Sequence, residues 1–174
     1  MEVQPKMEKI NIQEIQSDRG EEYKAFFRSG LIADENNFRI SPDDDLHSPF
    51  PSKGYADSFT LGAFINDRIV GVVSFVRDGS DREKLRHKGI LFRMYVDGNF
   101  RKRGIANLLI EELLRRVRLI PDIEQINLTV VADNAIATGL YEKFGFKTFG
   151  VEVNAIKWKN SYFTEKQMVL NIKS

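Results

Sequence analysis

The stretch from Ile90 to Val131 constrains the fold of this chain more than any other. A β-rich run, ILFRMYV (90–96), leads through a short turn into an amphipathic segment, and a second β-rich run, INLTVV (126–131), follows. From Gly104 the apolar residues Ile105, Leu108, Leu109, Leu113 and Val117 recur at helical spacing. Glu111–Arg115 and Glu112–Arg116 form i,i+4 pairs on the wet side, and Pro121 closes the helix. A strand–helix–strand crossover of this kind places its two strands parallel in one sheet. Upstream, SFTLGAFIN (58–66) and RIVGVVSFVRD (68–78) meet at Asn66-Asp67, a favourable hairpin turn, and hairpins require antiparallel strands. One mixed, largely antiparallel sheet with helices packed on it satisfies both demands.

The remaining segments extend that sheet. Lys6 to Ile12 alternates as a first strand after a polar tail at 1–5. SDRGEEYKAFF predicts a helix capped at Ser17 or Asp18 and ending near Gly30, with a further helical turn over Asp34 to Phe38. SPDDDLHSPFPSKG (41–54) holds three of the five prolines and the run Asp43-Asp44-Asp45, and reads as a loop. NAIATGLYEKFGF is a short helix stopped at Gly145, and KTFGVEVNAIKW and TEKQMVLNI are final strands. The sum is an α+β protein with about seven strands and about four helices, in a single domain over 1–174, a length suited to one core.

Charge and composition narrow the chemistry. Lys plus Arg is 26 against 25 Asp plus Glu, a formal charge of +1 that does not suit a protein living on a nucleic-acid backbone. The chain has no cysteine, so no thiolate can serve as nucleophile or metal ligand, and with only two histidines no metal is expected. It has no apolar run long enough for a membrane span or a signal peptide, so the expectation is a cytoplasmic protein without membrane partners.

The basic turn RKRGIA (101–106) is then the feature that asks for a function. A helix start leaves unpaired N–H groups and a partial positive charge, and cations with a glycine there suit a phosphate. The competing reading is an ordinary charged helix start, at a cost of tenths of a kcal/mol per cation. RKRGIA resembles the (Q/R)-x-x-G-x-(G/A) motif of the GNAT superfamily of N-acetyltransferases, and NAIATGLYEKFGF resembles that family's second signature over nearly its full length. The likeness is close over 58–172 and follows element order alone in the first third.

What the resemblance implies is specific. The strand at 90–96 carries a bulge and splays from its parallel neighbour at 126–131, and the pantetheine arm of acetyl-CoA, the co-substrate, adds beside it like a strand. The backbone of Met94, Tyr95 and Val96 would bond that arm, with the Met94 N–H polarising the acetyl carbonyl. Arg101, Lys102, Arg103, Gly104, Ile105, Ala106 and Asn107 would hold the pyrophosphate, chiefly through N–H groups. Tyr141 would be the acid that protonates the departing thiolate, against a plain reading as a core aromatic beside Leu140 and Phe144. Asn134 would cap its helix and meet the pantetheine arm.

No glutamate lies on the strand at 90–96, so the base is open among Glu22, Asp34, Glu35, His47 and Glu152, each of which reads first as a surface group. Trp158 and Tyr162 could wall an acceptor site, though packing explains both. The expected reaction is direct acetyl transfer to a primary amine, small-molecule or protein, in a ternary complex. Two rivals stand beside it: a CoA- or acyl-CoA-binding sensor without turnover, and nucleic-acid binding by the basic helix 101–118. The Asp43–Asp45 run could attract a cationic acceptor or simply solubilise the loop. The sequence is silent on oligomeric state, and a homodimer is compatible with it.

Overall fold

The computed structural model describes residues 8–54 and 56–173. Its elements are β1 (Asn11–Glu14), α1 (Gly20–Ala33), α2 (Pro42–Leu46), β2 (Phe59–Ile65), β3 (Arg68–Arg77), β4 (Lys88–Val96), α3 (Ile105–Val117), β5 (Gln125–Val131), α4 (Ala135–Lys143), β6 (Lys147–Trp158) and β7 (Ser161–Asn171). The strands form one seven-stranded sheet in the order β1-β2-β3-β4-β5-β7-β6. Strands β4 and β5 run parallel, and every other neighbouring pair is antiparallel. Asn66 and Asp67 take φ of 49° and 63°, the left-handed pair that a two-residue hairpin needs. Lys159 and Asn160 repeat the device between β6 and β7.

Strand alternation splits the apolar residues between two cores. Val73 and Phe75 of β3 join Ile126, Leu128 and Met168 under α3, which buries Leu109, Ile110, Leu113 and Val117. Val72 joins Ile69 and Tyr95 under α1, which buries Tyr23, Phe27 and Leu31. Leu108, assigned above to the apolar stripe, is 37% exposed; Ile110 and Leu114 take the buried face instead.

Several boundaries differ from the sequence expectation, each for a physical reason. The first strand covers Asn11–Glu14, because that segment reaches the edge of β2, pairing Asn11 with Phe64; Lys6 and Met7, like the tail at 1–5, fall outside the described residues. Helix α1 does not stop at Gly30 but continues to Ala33. A Cβ at Gly30 would lie 2.7 Å from the Tyr95 ring, so this glycine serves close packing rather than termination. Neither Ser17 nor Asp18 caps it; both lie in a 3-10 turn, and the N-cap Arg19 makes no side-chain cap bond.

The segment 41–54 is not wholly a loop. Ser41 and Asp44 form a reciprocal capping box that starts α2 at Pro42, and Asp45 is buried rather than solvated. On α3, Glu111 does not pair with Arg115. Glu112 binds both Arg115 (2.7 Å) and Arg116 (2.9 Å), and Arg116 continues to Glu14 of β1 at 2.5 Å, tying helix to sheet edge. Strand β4 starts earlier than expected, at Lys88, and β7 starts at Ser161.

Two predictions follow from this packing. Gly89 faces the buried Phe75 ring, which leaves no room for a Cβ, whereas Gly139 is exposed on α4 with open space around it. Gly89→Ala should destabilise the protein by about 2 kcal/mol, and Gly139→Ala should stabilise it by about 0.5–1 kcal/mol, read as opposite shifts in the urea midpoint. Hydrogen bonding to Arg115, then to Arg116, lowers the Glu112 pKa from 4.5 to about 2. A depressed carboxylate stabilises above its unfolded pKa, and that contribution is lost as pH falls from about 4.5 toward 2. Glu112→Gln should therefore be less stable than the wild type at pH 6, and urea titrations should show the gap narrowing below about pH 4.5 and closing only toward pH 2.

Candidate active site

The site originates in a break in the sheet. Strand β4 pairs with β5 only at Lys88–Gln125, Gly89–Ile126 and Ile90–Asn127, and beyond Ile90 the two strands have no paired residues. Against β3 the register runs from Ser74–Phe92 to Val72–Tyr95, so Arg93 and Met94 together oppose Val73 in a β-bulge. Arg93 adopts φ 53°, a left-handed conformation that costs a non-glycine residue about 1–2 kcal/mol. Its side chain supplies the compensation: Nη1 donates to Asp45 Oδ1 at 2.7 Å, and the guanidinium lies 4.9 Å from the centre of the Phe27 ring.

The divergence opens a cleft of about 560 Å³. Its walls are Ile90 to Val96 of β4, Thr129 and Val130 of β5, Asn134, Ala137, Leu140 and Tyr141 around α4, and the segment Asn37–Ile40. On the β4 side Met94, Tyr95 and Val96 present a strand edge that β5 leaves unused. The basic turn lies at the end of that edge. Lys102 and Gly104 have φ of 61° and 76°, and Gly104 is the N-cap of α3, with no side-chain cap bond. The helix geometry leaves the N–H groups of Ile105, Ala106 and Asn107 without intrahelical acceptors. A Cβ at Gly104 would meet no protein atom within 4 Å, so within the protein it is the φ of 76° and not packing that favours glycine, and the space in front of the helix start is open.

The basic side chains are less available than the motif suggests. Arg101 folds back, donating from Nε to the Val96 carbonyl at 3.2 Å and pairing with Asp34. Arg103 pairs with Glu8 at 3.4 Å, and the Asn107 side-chain oxygen accepts from Lys143 at 2.8 Å. Lys102 is exposed. Asn134 caps α4, accepting from the Ala137 N–H at 3.1 Å. Tyr141 is 6% exposed, with its ring edge-on to Phe146, and burial pushes its pKa well above the ordinary phenol value. It therefore stays protonated throughout the neutral range.

Of Glu22, Asp34, Glu35, His47 and Glu152, only Asp34 lines the cleft, and there it pairs with Arg101. Glu22 binds Arg19, and Glu35 binds Lys159 at the tip of the β6–β7 hairpin. Trp158 and Tyr162 do not line the cleft. Residues that no motif marked are Asn37, Arg39 and Arg93, brought to the cleft by the α1–α2 segment and the bulge, and Glu165 of β7, behind Arg39. Among the described residues no three His, Cys, Asp or Glu side chains gather as a metal site, and no helix is long and apolar enough to cross a membrane.

Known proteins share this fold. The sequence model of the acetyltransferase (GNAT) family matches residues 20–146. An acetyltransferase of Pectobacterium atrosepticum is 36% identical over 88 residues, and an L-amino acid N-acetyltransferase of Escherichia coli is 32% identical over 90. These matches cover 51% and 52% of the chain and 57% and 54% of the relatives, so the chain spans little more than half the length of each. Among solved structures, a GNAT acetyltransferase of Streptococcus pneumoniae superposes with a TM-score of 0.77 at 24% identity, covering 94% of this chain and 99% of that one. Salmonella typhimurium yncA, solved with its cofactor acetyl-CoA, superposes with a TM-score of 0.80 at 14% identity and 95% coverage of both chains. At such identities the structural likeness is one of fold. With the family model matched over most of its length, and with β4 parted from β5 beside an uncapped helix start, the chain belongs to the GNAT acetyltransferase family.

Proposed function

We propose that the protein transfers an acetyl group directly from acetyl-CoA to a primary amine, with both substrates bound together. The observation that carries the reading is the unpaired edge of β4 followed, through the turn at 97–104, by the uncapped first turn of α3. A strand edge offers alternating N–H and C=O groups to an extended amide-bearing arm, and the helix start offers N–H groups to its phosphates. Acetyl-CoA supplies the activated acyl group as a thioester.

In this reading Met94 to Val96 bind the pantetheine arm, and the Met94 N–H polarises the acetyl carbonyl. Gly104, Ile105, Ala106 and Asn107 hold the pyrophosphate through the backbone. Lys102 adds charge from the surface, while Arg101 and Arg103, already paired, act by shaping the turn. The amine nitrogen forms the new C–N bond as the C–S bond breaks; its proton passes to solvent, and Tyr141 gives its phenol proton to the sulfur and is reprotonated from solvent. The raised Tyr141 pKa keeps the phenol protonated at neutral pH, so that it has a proton to give. No cysteine is present to relay the acetyl group, which favours direct transfer over a covalent intermediate.

The nucleic-acid reading finds little support on the same helix. Arg115 and Arg116 are bound by Glu112, Arg101 by Asp34, and Arg103 by Glu8, so much of the local charge is already matched.

Titration calorimetry with acetyl-CoA and an amine-dependent thiol-release assay test the proposal. Gly104→Glu, which puts an anion and a disfavoured φ at the helix start, should abolish saturable binding. Tyr141→Phe should keep acetyl-CoA affinity within about threefold while kcat falls about 100-fold. Binding that persists in Gly104→Glu would remove the helix start from the cofactor site. Tight binding with no turnover on any amine would instead mark a sensor.

A further inference from the structure

The segment between α1 and α2 brings a third arginine into the cleft, and its setting differs from that of its neighbours. Arg93 is mostly buried and engaged by Asp45 and Phe27. Arg101 is taken up by Asp34 and the Val96 carbonyl. The Arg39 side chain is 64% exposed, lines the cleft, and makes a single charged contact among the described residues, from Nε to Glu165 Oε1 at 2.8 Å. The contact has the distance of an ion pair but not the angle of a hydrogen bond, so Glu165 Oε1 is otherwise without a partner. Among the described residues neither Nη group has a hydrogen-bond acceptor.

Glu165 is an unusual residue to find behind it. It lies within β7, opposite Val131 of β5 and Glu152 of β6, and is 1% exposed. A buried carboxylate is costly unless it is paired, and Glu152 across the register adds repulsion. Burial, with Glu152 against it and Arg39 in its favour, raises the Glu165 pKa. Hydrophobic replacement would suit the sheet better if stability alone mattered. What the carboxylate does accomplish is to place a buried negative charge 2.8 Å from the Nε of an arginine that lines the cleft.

A guanidinium engaged at Nε by an ion pair keeps its two Nη groups for a ligand, and their planar fork is the geometry that recognises a carboxylate by two parallel hydrogen bonds. Phe38 and Ile40, which flank Arg39 and line the same cleft, leave apolar walls for the rest of the molecule. We propose that the acceptor is a small amine bearing a carboxylate, of the amino-acid class, and that Arg39 binds this carboxylate while Glu165 acts as its positioning residue. The inference rests on the N-acetyltransferase reading and assigns the acceptor class to it. The volume of about 560 Å³, shared between the acetyl-bearing arm and the acceptor, fits a small molecule.

The test compares L-amino acids with their matching amino-acid amides, which keep the amine and side chain and lose the carboxylate charge. Thiol release would be followed for the wild type and for Arg39→Gln, Arg39→Lys and Glu165→Gln. The wild type should favour at least one amino acid over its amide by about tenfold or more in kcat/KM. Arg39→Gln should erase that preference by raising KM for the acid, with kcat within about threefold and KM for acetyl-CoA unchanged; Arg39→Lys should restore part of it. Glu165→Gln should reduce the acid-to-amide ratio, whereas a merely structural role would lower thermal stability and leave the ratio alone. Equal rates on acids and amides in the wild type, or an unchanged ratio in Arg39→Gln, would overturn the proposal while leaving acetyl transfer intact. Release of thiol with no amine at all, in a protein that still binds acetyl-CoA by calorimetry, would overturn both readings at the acceptor side and leave the cofactor site standing.

Discussion

The parting of β4 from β5 is the constraint on which the rest of the site depends. Two parallel strands that pair at only three positions and then diverge leave a run of backbone donors and acceptors facing a cleft. Such groups are costly to bury without partners, so the break persists only where water or a ligand can reach them. Arg93 localises the break. Its left-handed φ bends β4, and the Asp45 contact and the Phe27 ring hold the bend from the α1–α2 side. The capping box at Ser41 and Asp44 therefore has a role beyond its own short helix: it places Asp45 under β4.

Four ion pairs gather on or next to the segments that line the cleft. Arg101 with Asp34, Arg93 with Asp45, Arg39 with Glu165, and Lys159 with Glu35 each join segments distant in sequence. They differ in which partner is exposed. Arg93 and Asp45 are both largely buried and act as structure, while Lys159 and Glu35 at the rim are solvated and add little. Arg39 inverts the usual arrangement, with the carboxylate inside and the guanidinium outside. On the other side of the cleft, α3 and α4 contribute backbone N–H groups and one buried phenol.

Much of this was legible in the chain. The crossover at 90–131 and the Asn66-Asp67 turn define a mixed sheet, since each pattern depends on local periodicity and turn chemistry. The basic turn, Gly104 and the Asn134 cap likewise depend on residues adjacent in sequence. Gly30 misled because a glycine near a helix end reads as a stop, whereas here it makes room for Tyr95 from another element. The Asp43–Asp45 run misled because three like charges read as solvated, whereas Asp45 meets a guanidinium 48 residues away.

What the sequence determined by itself is the order of elements, the one parallel crossover and the phosphate-suited helix start, because each is encoded within a few residues by periodicity, caps and turn conformation. What only the tertiary structure decided is which charges are free. RKR reads as a basic cluster, yet Arg101 and Arg103 are paired, while Arg39, unmarked by any motif, lines the cleft and meets a glutamate that lies 126 positions further along the chain. Charge availability depends on partners brought together by the sheet register, and no local pattern records that register.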